Sequence, residues 1–230
     1  MKENSSFLRG YYSKLWKVEK DDSPNFSRLR AARLIRPLAR KLPSNSVYLG
    51  IAAGRGVLEK EMWSDALKHF KSVYLLDIAD RKPLISRKEA KGKVKYGNVQ
   101  NVTADSHELP FPDNSVGIIS SHMAYDFFDE REKAALEMKR VLKSGGKAIV
   151  FLHHPKQEPD AVKGMKKTDG MVFEFWKKLR QQKRLFETEK QVQDHFQELG
   201  FHVESVSEHV KENPFDDYWW EVVLKKQAEK

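Results

Sequence analysis

The chain has 230 residues, enough for one domain with a full hydrophobic core. About 40% of it is apolar and 33% charged, the net charge is +9, and there is no cysteine. This composition describes a soluble globular protein and excludes disulfides, a cysteine nucleophile and cysteine-held metals. No apolar run reaches the roughly 18 residues of a membrane helix. The N-terminal MKENSSFLRG lacks the apolar stretch of a signal peptide, so a cytoplasmic protein is expected. The charge is uneven, with +7 over residues 1–45 and −5 over residues 191–230. Such asymmetry fits either solvated basic helices or an anionic partner such as RNA, although aromatic and basic residues do not interleave as in a single-strand binder.

Residues 6–17 and 25–42 predict two helices. In the second, Leu29, Ala32, Ile35, Leu38 and Leu42 share a face, and Pro37 predicts a kink. From residue 46 the pattern changes to alternating strands and helices. Strands are predicted at 46–51, 72–77, 99–105, 116–121 and 147–153. Helices are predicted at 57–70 (Leu58, Met62, Ala66 and Phe70 inward) and at 130–143, the latter ended by Gly145-Gly146 as a left-handed cap. Two more helices, at 171–186 and 189–200, precede strands at 201–210 and 218–226. This alternation predicts an α/β fold: a Rossmann-like, doubly wound and mostly parallel sheet with helices on both faces. Ligands of such sheets lie at the carboxyl ends of the strands.

The first strand runs into Gly50-Ile51-Ala52-Ala53-Gly54-Arg55-Gly56. This is neither G-x-G-x-x-G nor a P-loop. Its glycines let backbone approach a ligand, and the following helix N-terminus favours an anion. Asp77 ends the second strand, where a carboxylate can accept hydrogen bonds from both ribose hydroxyls of an adenosine. Asp105 follows the third strand and leads into Leu109-Pro110-Phe111-Pro112-Asp113-Asn114-Ser115. Arg140-Val141-Leu142-Lys143-Ser144-Gly145-Gly146 precedes the fifth.

Taken together, these segments resemble the class I S-adenosylmethionine-dependent methyltransferases, in their small-molecule (type 11-like) branch, over about residues 45–155. The resemblance implies a seven-stranded sheet with its last strand antiparallel. It implies S-adenosyl-L-methionine as cofactor and S-adenosyl-L-homocysteine as product. It places Gly50, Ala52, Ala53, Gly54, Arg55 and Gly56 beneath the methionine end, with Arg55 toward its carboxylate. Asp77, with Ile78 beside it, then holds the ribose, and Asp105 with Ser106 receives the adenine. Three positions depart from the family pattern. Gly50 stands for the acid ending the first strand, Ala52 for the first glycine, and Gly117 for the acid opening the fourth strand. A loop carbonyl, a water or a carboxylate from Glu19, Asp21 or Asp22 is expected to recover part of the missing acid's hold, so that the cofactor binds more weakly than in relatives, and Gly50→Asp is expected to be tolerated or to tighten binding.

His122 follows the fourth strand, as a general base or as a wall under the cofactor. Tyr125 and Asp126 are further candidates. His153 and His154 are adjacent, so they point to opposite faces and do not form a metal pair; no metal site is expected. Tyr11, Tyr12, Trp16, Tyr125, His153, Phe175 and Trp176 are the candidate acceptor-binding residues.

The expected organisation is one domain, residues 1–230. It comprises a helical lid (1–44), a cofactor core (45–155), a substrate-covering insertion and helix (156–200) and a final β-hairpin (201–230). The expected activity is methyl transfer to oxygen or nitrogen of a small molecule. An RNA methyltransferase and a non-catalytic cofactor-binding module are the alternatives.

Overall fold

In the computed structural model the described residues are 26–62, 66–79, 98–156, 179–210 and 218–228. The elements are α1 (Phe26–Arg40), β1 (Val47–Ile51), α2 (Val57–Met62), β2 (Ser72–Asp77), β3 (Val99–Thr103), β4 (Val116–His122), α3 (Arg131–Val141), β5 (Leu142–His153), α4 (Glu189–Glu198), β6 (His202–His209) and β7 (Trp219–Lys225). They form one seven-stranded sheet in the order β3-β2-β1-β4-β5-β7-β6. The first five strands run parallel, and β7 lies antiparallel to both of its neighbours. The doubly wound sheet with an antiparallel last strand is therefore as expected.

The central strands are apolar on both faces, so each face needs a cover of helices. Leu49, Ile51, Ile119 and Val150 face one layer, which includes Met138 of α3 and Phe196 of α4. Tyr48, Val73, Ile118 and Phe151 face the other, which includes α1 and α2. α1 lies against the sheet through Ala31, Ala32, Ile35 and Ala39, with Leu38 and Leu42 of the expected stripe packed against this core; of that stripe only Leu29, 36% exposed, turns away. Alanines let the helix approach the sheet closely, and Leu34, Leu38 and Leu42 pack half-buried around that contact. α1 is thus a layer of the core; residues 1–25 of the expected lid lie outside the described residues.

Other boundaries differ for local reasons. In the stretch predicted as a helix over 171–186, helix is present at 179–181 and then ends. Lys183 takes φ 51°, with Arg184 N donating to Leu179 O and Lys183 N to Arg180 O. That paired pattern is the usual stop for a helix, normally with glycine at the left-handed position. It turns Leu185 and Phe186 into the interior, where both are buried. Gly200 (φ 77°) stops α4 in the same way, so the helix expected at 189–200 ends at Glu198.

Gly145-Gly146 is not a helix cap. α3 ends at Val141, and both glycines lie inside β5. The register with β4 jumps there from Val116↔Leu142 to Ile118↔Lys147. Gly145 (φ 74°) makes the bulge possible, and the freed groups bond β7's end: Gly145 N to Lys226 O and Lys226 N to Gly146 O. Gly117 is explained by space, since a Cβ there would stand 3.2 Å from Leu42 Cδ1.

Arg140 holds the Leu109–Asp113 loop. Its guanidinium donates to the Leu109 and Phe111 carbonyls (both 2.9 Å), to Asp113 Oδ1 (2.6 Å) and to both oxygens of Glu137. Glu137 in turn accepts from Leu109 N at 2.7 Å. Arg140→Ala should lower stability by about 2–3 kcal/mol, because charge-assisted bonds are lost and two carbonyls lose their donor. Arg140→Lys should recover only part, for want of the planar fork. Urea unfolding at unchanged m checks both, and a loss well under 1 kcal/mol for Arg140→Ala would show that the loop holds itself.

Candidate functional site

The carboxyl end of β1 is a tight loop. Ala52, Gly54 and Gly56 take φ of 51°, 57° and 73°. Left-handed backbone is natural for glycine and strained for Ala52. The loop closes on itself through Gly56 N to Ala53 O, and onto β2 through Ala53 N to Leu76 O at 3.0 Å. Asp77 completes the anchorage: Oδ2 accepts from Gly54 N at 2.9 Å and Oδ1 from Ala79 N at 3.0 Å. The carboxylate at the end of β2 therefore shapes the glycine loop and the turn containing Ile78. Gly50, Ala52, Ala53, Gly54, Arg55, Gly56, Asp77 and Ile78 are brought together, with Arg55 half-buried in the loop.

Beneath the loop lies a group that sequence reasoning missed. Glu59, in the first turn of α2, is 2% exposed. Its Oε1 accepts from the Tyr48 hydroxyl at 3.0 Å, and that hydroxyl lies 2.6 Å from Ser120 Oγ. Its Oε2 is buried with no hydrogen-bond partner. Burial pushes the Glu59 carboxyl up to about 7, against the opposing pull of its backbone and hydroxyl bonds. A signal was present, because Glu59 shares the helical face of Met62 and Ala66. The leucine and methionine of that stripe concealed it.

On the other side of the site, Asp105 follows β3. Its Oδ1 accepts from His107 N at 2.9 Å and pairs with His107 Nδ1 at 2.5 Å, while Ser106 is buried. His122, at the end of β4, packs on Phe151 with ring centroids 5.4 Å apart. Tyr125 is fully buried, and its hydroxyl shares a 2.8 Å hydrogen bond with His195 Nε2 of α4. Burial lowers His195 to about 4, with the Arg131 charge adding to the effect, so its ring is neutral at pH 7. Burial also raises Tyr125, which stays protonated.

His153 and His154 diverge as the alternation predicts. His153 meets Asp126, with Nδ1 3.0 Å and backbone N 2.8 Å from Asp126 Oδ2. His154 turns to Glu208 (3.2 Å) and to the Trp220 ring. Asp126 is fully buried, and its Oδ1 has no partner. Asp126 Oδ2 meets both the backbone N and the ring Nδ1 of His153, a link that distance along the chain hid from the sequence. Tyr11, Tyr12, Trp16, Phe175 and Trp176, and the acids Glu19, Asp21 and Asp22, lie outside the described residues. No cluster of metal-ligating side chains occurs among the described residues. None of the described helices is long and apolar enough to cross a membrane.

A doubly wound sheet of this order, with a glycine loop after β1 and carboxylates after β2 and β3, defines a nucleoside-cofactor fold of the class I methyltransferase type. Residues 49–150 match the family model described as a methyltransferase domain, in keeping with the resemblance to the class I S-adenosylmethionine-dependent methyltransferases. It is 36% identical over 109 residues to the ubiquinone/menaquinone biosynthesis C-methyltransferase UbiE of Ectopseudomonas mendocina, covering 47% of this chain and 42% of that protein. A UbiE of Idiomarina loihiensis is 34% identical over 103 residues. The chain thus spans less than half the length of these relatives. Among solved structures, a SAM-dependent methyltransferase from Aquifex aeolicus superimposes with a TM-score of 0.64 at 18% identity, covering 94% of this chain and 98% of its own. The 1,6-didemethyltoxoflavin-N1-methyltransferase of Burkholderia thailandensis also gives 0.64, at 13% identity, covering 97% of this chain and 87% of its own. These two likenesses establish the fold.

Glu59 yields a pH prediction. Its pKa rises from 4.5 in the unfolded chain to about 7 in the folded one. The native state therefore keeps a proton that the unfolded state has lost, and stability falls as pH rises from about 4.5 through about 7. The difference amounts to about 3 kcal/mol at pH 8. Glu59→Gln should remove this slope and raise the Tm of the protein at pH 8, though hardly at pH 4.5. Thermal melts across that range check it, and parallel pH profiles for the two proteins would refute a buried ionising Glu59.

Proposed function

We propose that the chain uses S-adenosylmethionine to methylate a small acceptor whose attacking atom must lose a proton, with His153 taking that proton. The observation that carries this reading is the buried His153–Asp126 pair at the carboxyl end of β5. A carboxylate can only accept, so Asp126 fixes the proton of His153 on Nδ1. Nε2 is then the basic nitrogen, and the second bond from His153 N to the same oxygen holds the ring's backbone in place. This is the arrangement that makes a histidine an effective general base.

The cofactor fits the residues present. The Ala52–Gly56 backbone leaves room for close approach, and Asp77 and Asp105 stand at the ends of adjacent strands to take ribose and adenine. When bound, the cofactor supplies an electrophilic methyl group, so the protein's work is alignment, exclusion of water and proton removal. Tyr125, held by neutral His195, supplies a rigid wall beside Asp126. His122 on Phe151 supplies another, which supports the wall reading over the base reading for this residue.

Oxygen and nitrogen acceptors suit the pair best, since a hydroxyl or amine sheds its proton as the new bond forms. Carbon is the second reading, favoured by the relatives named C-methyltransferases. Histidine base chemistry serves there too, when the carbon lies next to an acidic hydroxyl. The well-made pair argues against a non-catalytic module. The RNA alternative rests on the basic charge of residues 1–45, and no feature of the described site adds to it.

His153→Ala should lower kcat by about 10²–10⁴-fold with S-adenosylhomocysteine affinity unchanged. Asp126→Asn keeps an oxygen to accept both His153 N–H groups but removes the charge that stabilises the protonated ring, so it should lose a smaller factor than His153→Ala. His122→Ala should act mainly on KM. Methyl incorporation from ¹³C-labelled cofactor into metabolite pools gives these rates, and the product's methyl carbon shift tells oxygen, nitrogen and carbon acceptors apart. Full turnover at saturation in His153→Ala, with loss in His122→Ala, would transfer the base role to His122.

A further inference from the structure

We propose that Glu59 is the carboxylate that holds the cationic amino group at the methionine end of the cofactor, delivered from α2 to a place that β1 leaves empty at Gly50. The assignment rests on the cofactor reading above. It begins from space. A Cβ built on Gly50 would stand 2.5 Å from Glu59 Oε1 and 3.3 Å from Glu59 Cδ and from Ala53 Cβ. The Glu59 carboxylate therefore occupies the volume that a side chain at residue 50 would fill, directly beside the glycine loop. Gly50 and Glu59 form a complementary pair in which the strand gives up its side chain and the helix provides one.

The second observation is the state of the carboxylate. Glu59 is 2% exposed, and its Oε1 has Tyr48 as donor while its Oε2 has none. No lysine or arginine pairs with it among the described residues. A buried carboxylate with one oxygen bare costs free energy, and native proteins rarely leave one so without a use. What it lacks is a donor carrying positive charge, delivered beside residues 50–53. A primary ammonium supplies both, and the cofactor brings one to this loop. Tyr48, fixed on one side by Ser120 Oγ, keeps Oε1 in place so that Oε2 is the oxygen left to offer.

This geometry reverses the expectation for Gly50→Asp. A side chain there meets Glu59 Oε1 at contact distance and adds a like charge in a buried place. The single variant should be destabilised, whereas Gly50→Asp combined with Glu59→Ala returns one carboxylate to the cavity from the other element.

The experiment compares two probes by calorimetric titration at pH 7.5. S-adenosylhomocysteine carries the ammonium, and 5′-methylthioadenosine has the same nucleoside without the amino-acid end. Glu59→Gln should weaken S-adenosylhomocysteine by about 10–100-fold, the loss of one charge-assisted bond, and leave methylthioadenosine unchanged. The Gly50→Asp/Glu59→Ala double variant should bind S-adenosylhomocysteine more tightly than Glu59→Ala alone. Equal weakening of both probes would make Glu59 a prop for the loop and overturn the assignment, as would no weakening of either. Wild-type protein that binds methylthioadenosine but not S-adenosylhomocysteine would also overturn it while leaving the nucleoside site standing. Wild-type protein that binds neither would overturn the cofactor reading, and this inference with it.

Discussion

The whole carboxyl edge of the sheet depends on how β1 stops. The strand is central, flanked by β2 and β4, so its last residues cannot spread sideways. It leaves the sheet by three left-handed residues in five, and that path is held at a single carboxylate, Asp77, which takes the Gly54 amide. Ala53 bonds β2 through Leu76. The loop is thus a part of the sheet's edge, fixed before any ligand arrives. A preorganised backbone of this kind avoids the ordering cost that a floppy loop would impose on binding.

The same logic holds one layer away. The Leu109–Asp113 loop carries two prolines, which have no amide to donate, so its carbonyls must find partners elsewhere. Arg140 supplies them from α3 and is itself held by Glu137. A motif that looks like a ligand loop in sequence is thereby explained in part as a hydrogen-bonding contract between a loop and a helix. Its rigidity sets where Asp105 and Ser106 stand relative to β4.

Legibility in the sequence followed the range of the physics involved. Strand and helix alternation is a local periodic signal, and it predicted the sheet and a helix at 130–143, which the structure shows over 131–141 with Ala134, Ala135, Met138 and Val141 inward. Lys183 stops its helix without glycine, so that end was hidden. The buried face of α1 was read through Ala32 and Ile35, whereas Ala31 and Ala39 were missed because small residues carry little apolar signal. The Gly145 bulge depends on β7, some 80 positions away in the chain. Of the site, the residues on the loop and at the strand ends were readable, whereas Glu59 and the tie from Asp126 to His153 exist only after folding.

Three buried carboxylates separate structural from chemical use. Glu221 of β7 is 6% exposed, yet both its oxygens are met by the Arg30 guanidinium at 3.0 and 3.3 Å, and that pair clamps α1 to the sheet. Glu59 and Asp126 are buried as deeply, but each keeps one oxygen without a partner. Glu221 lies within β7, away from the loop, while the other two lie at the carboxyl ends of β1 and β4. Fully satisfied ion pairs hold a fold together, and half-satisfied ones weaken it. Among the described residues the two half-satisfied carboxylates lie along this carboxyl edge, and bare polar groups are expected at functional sites in a fold otherwise consistent with its sequence.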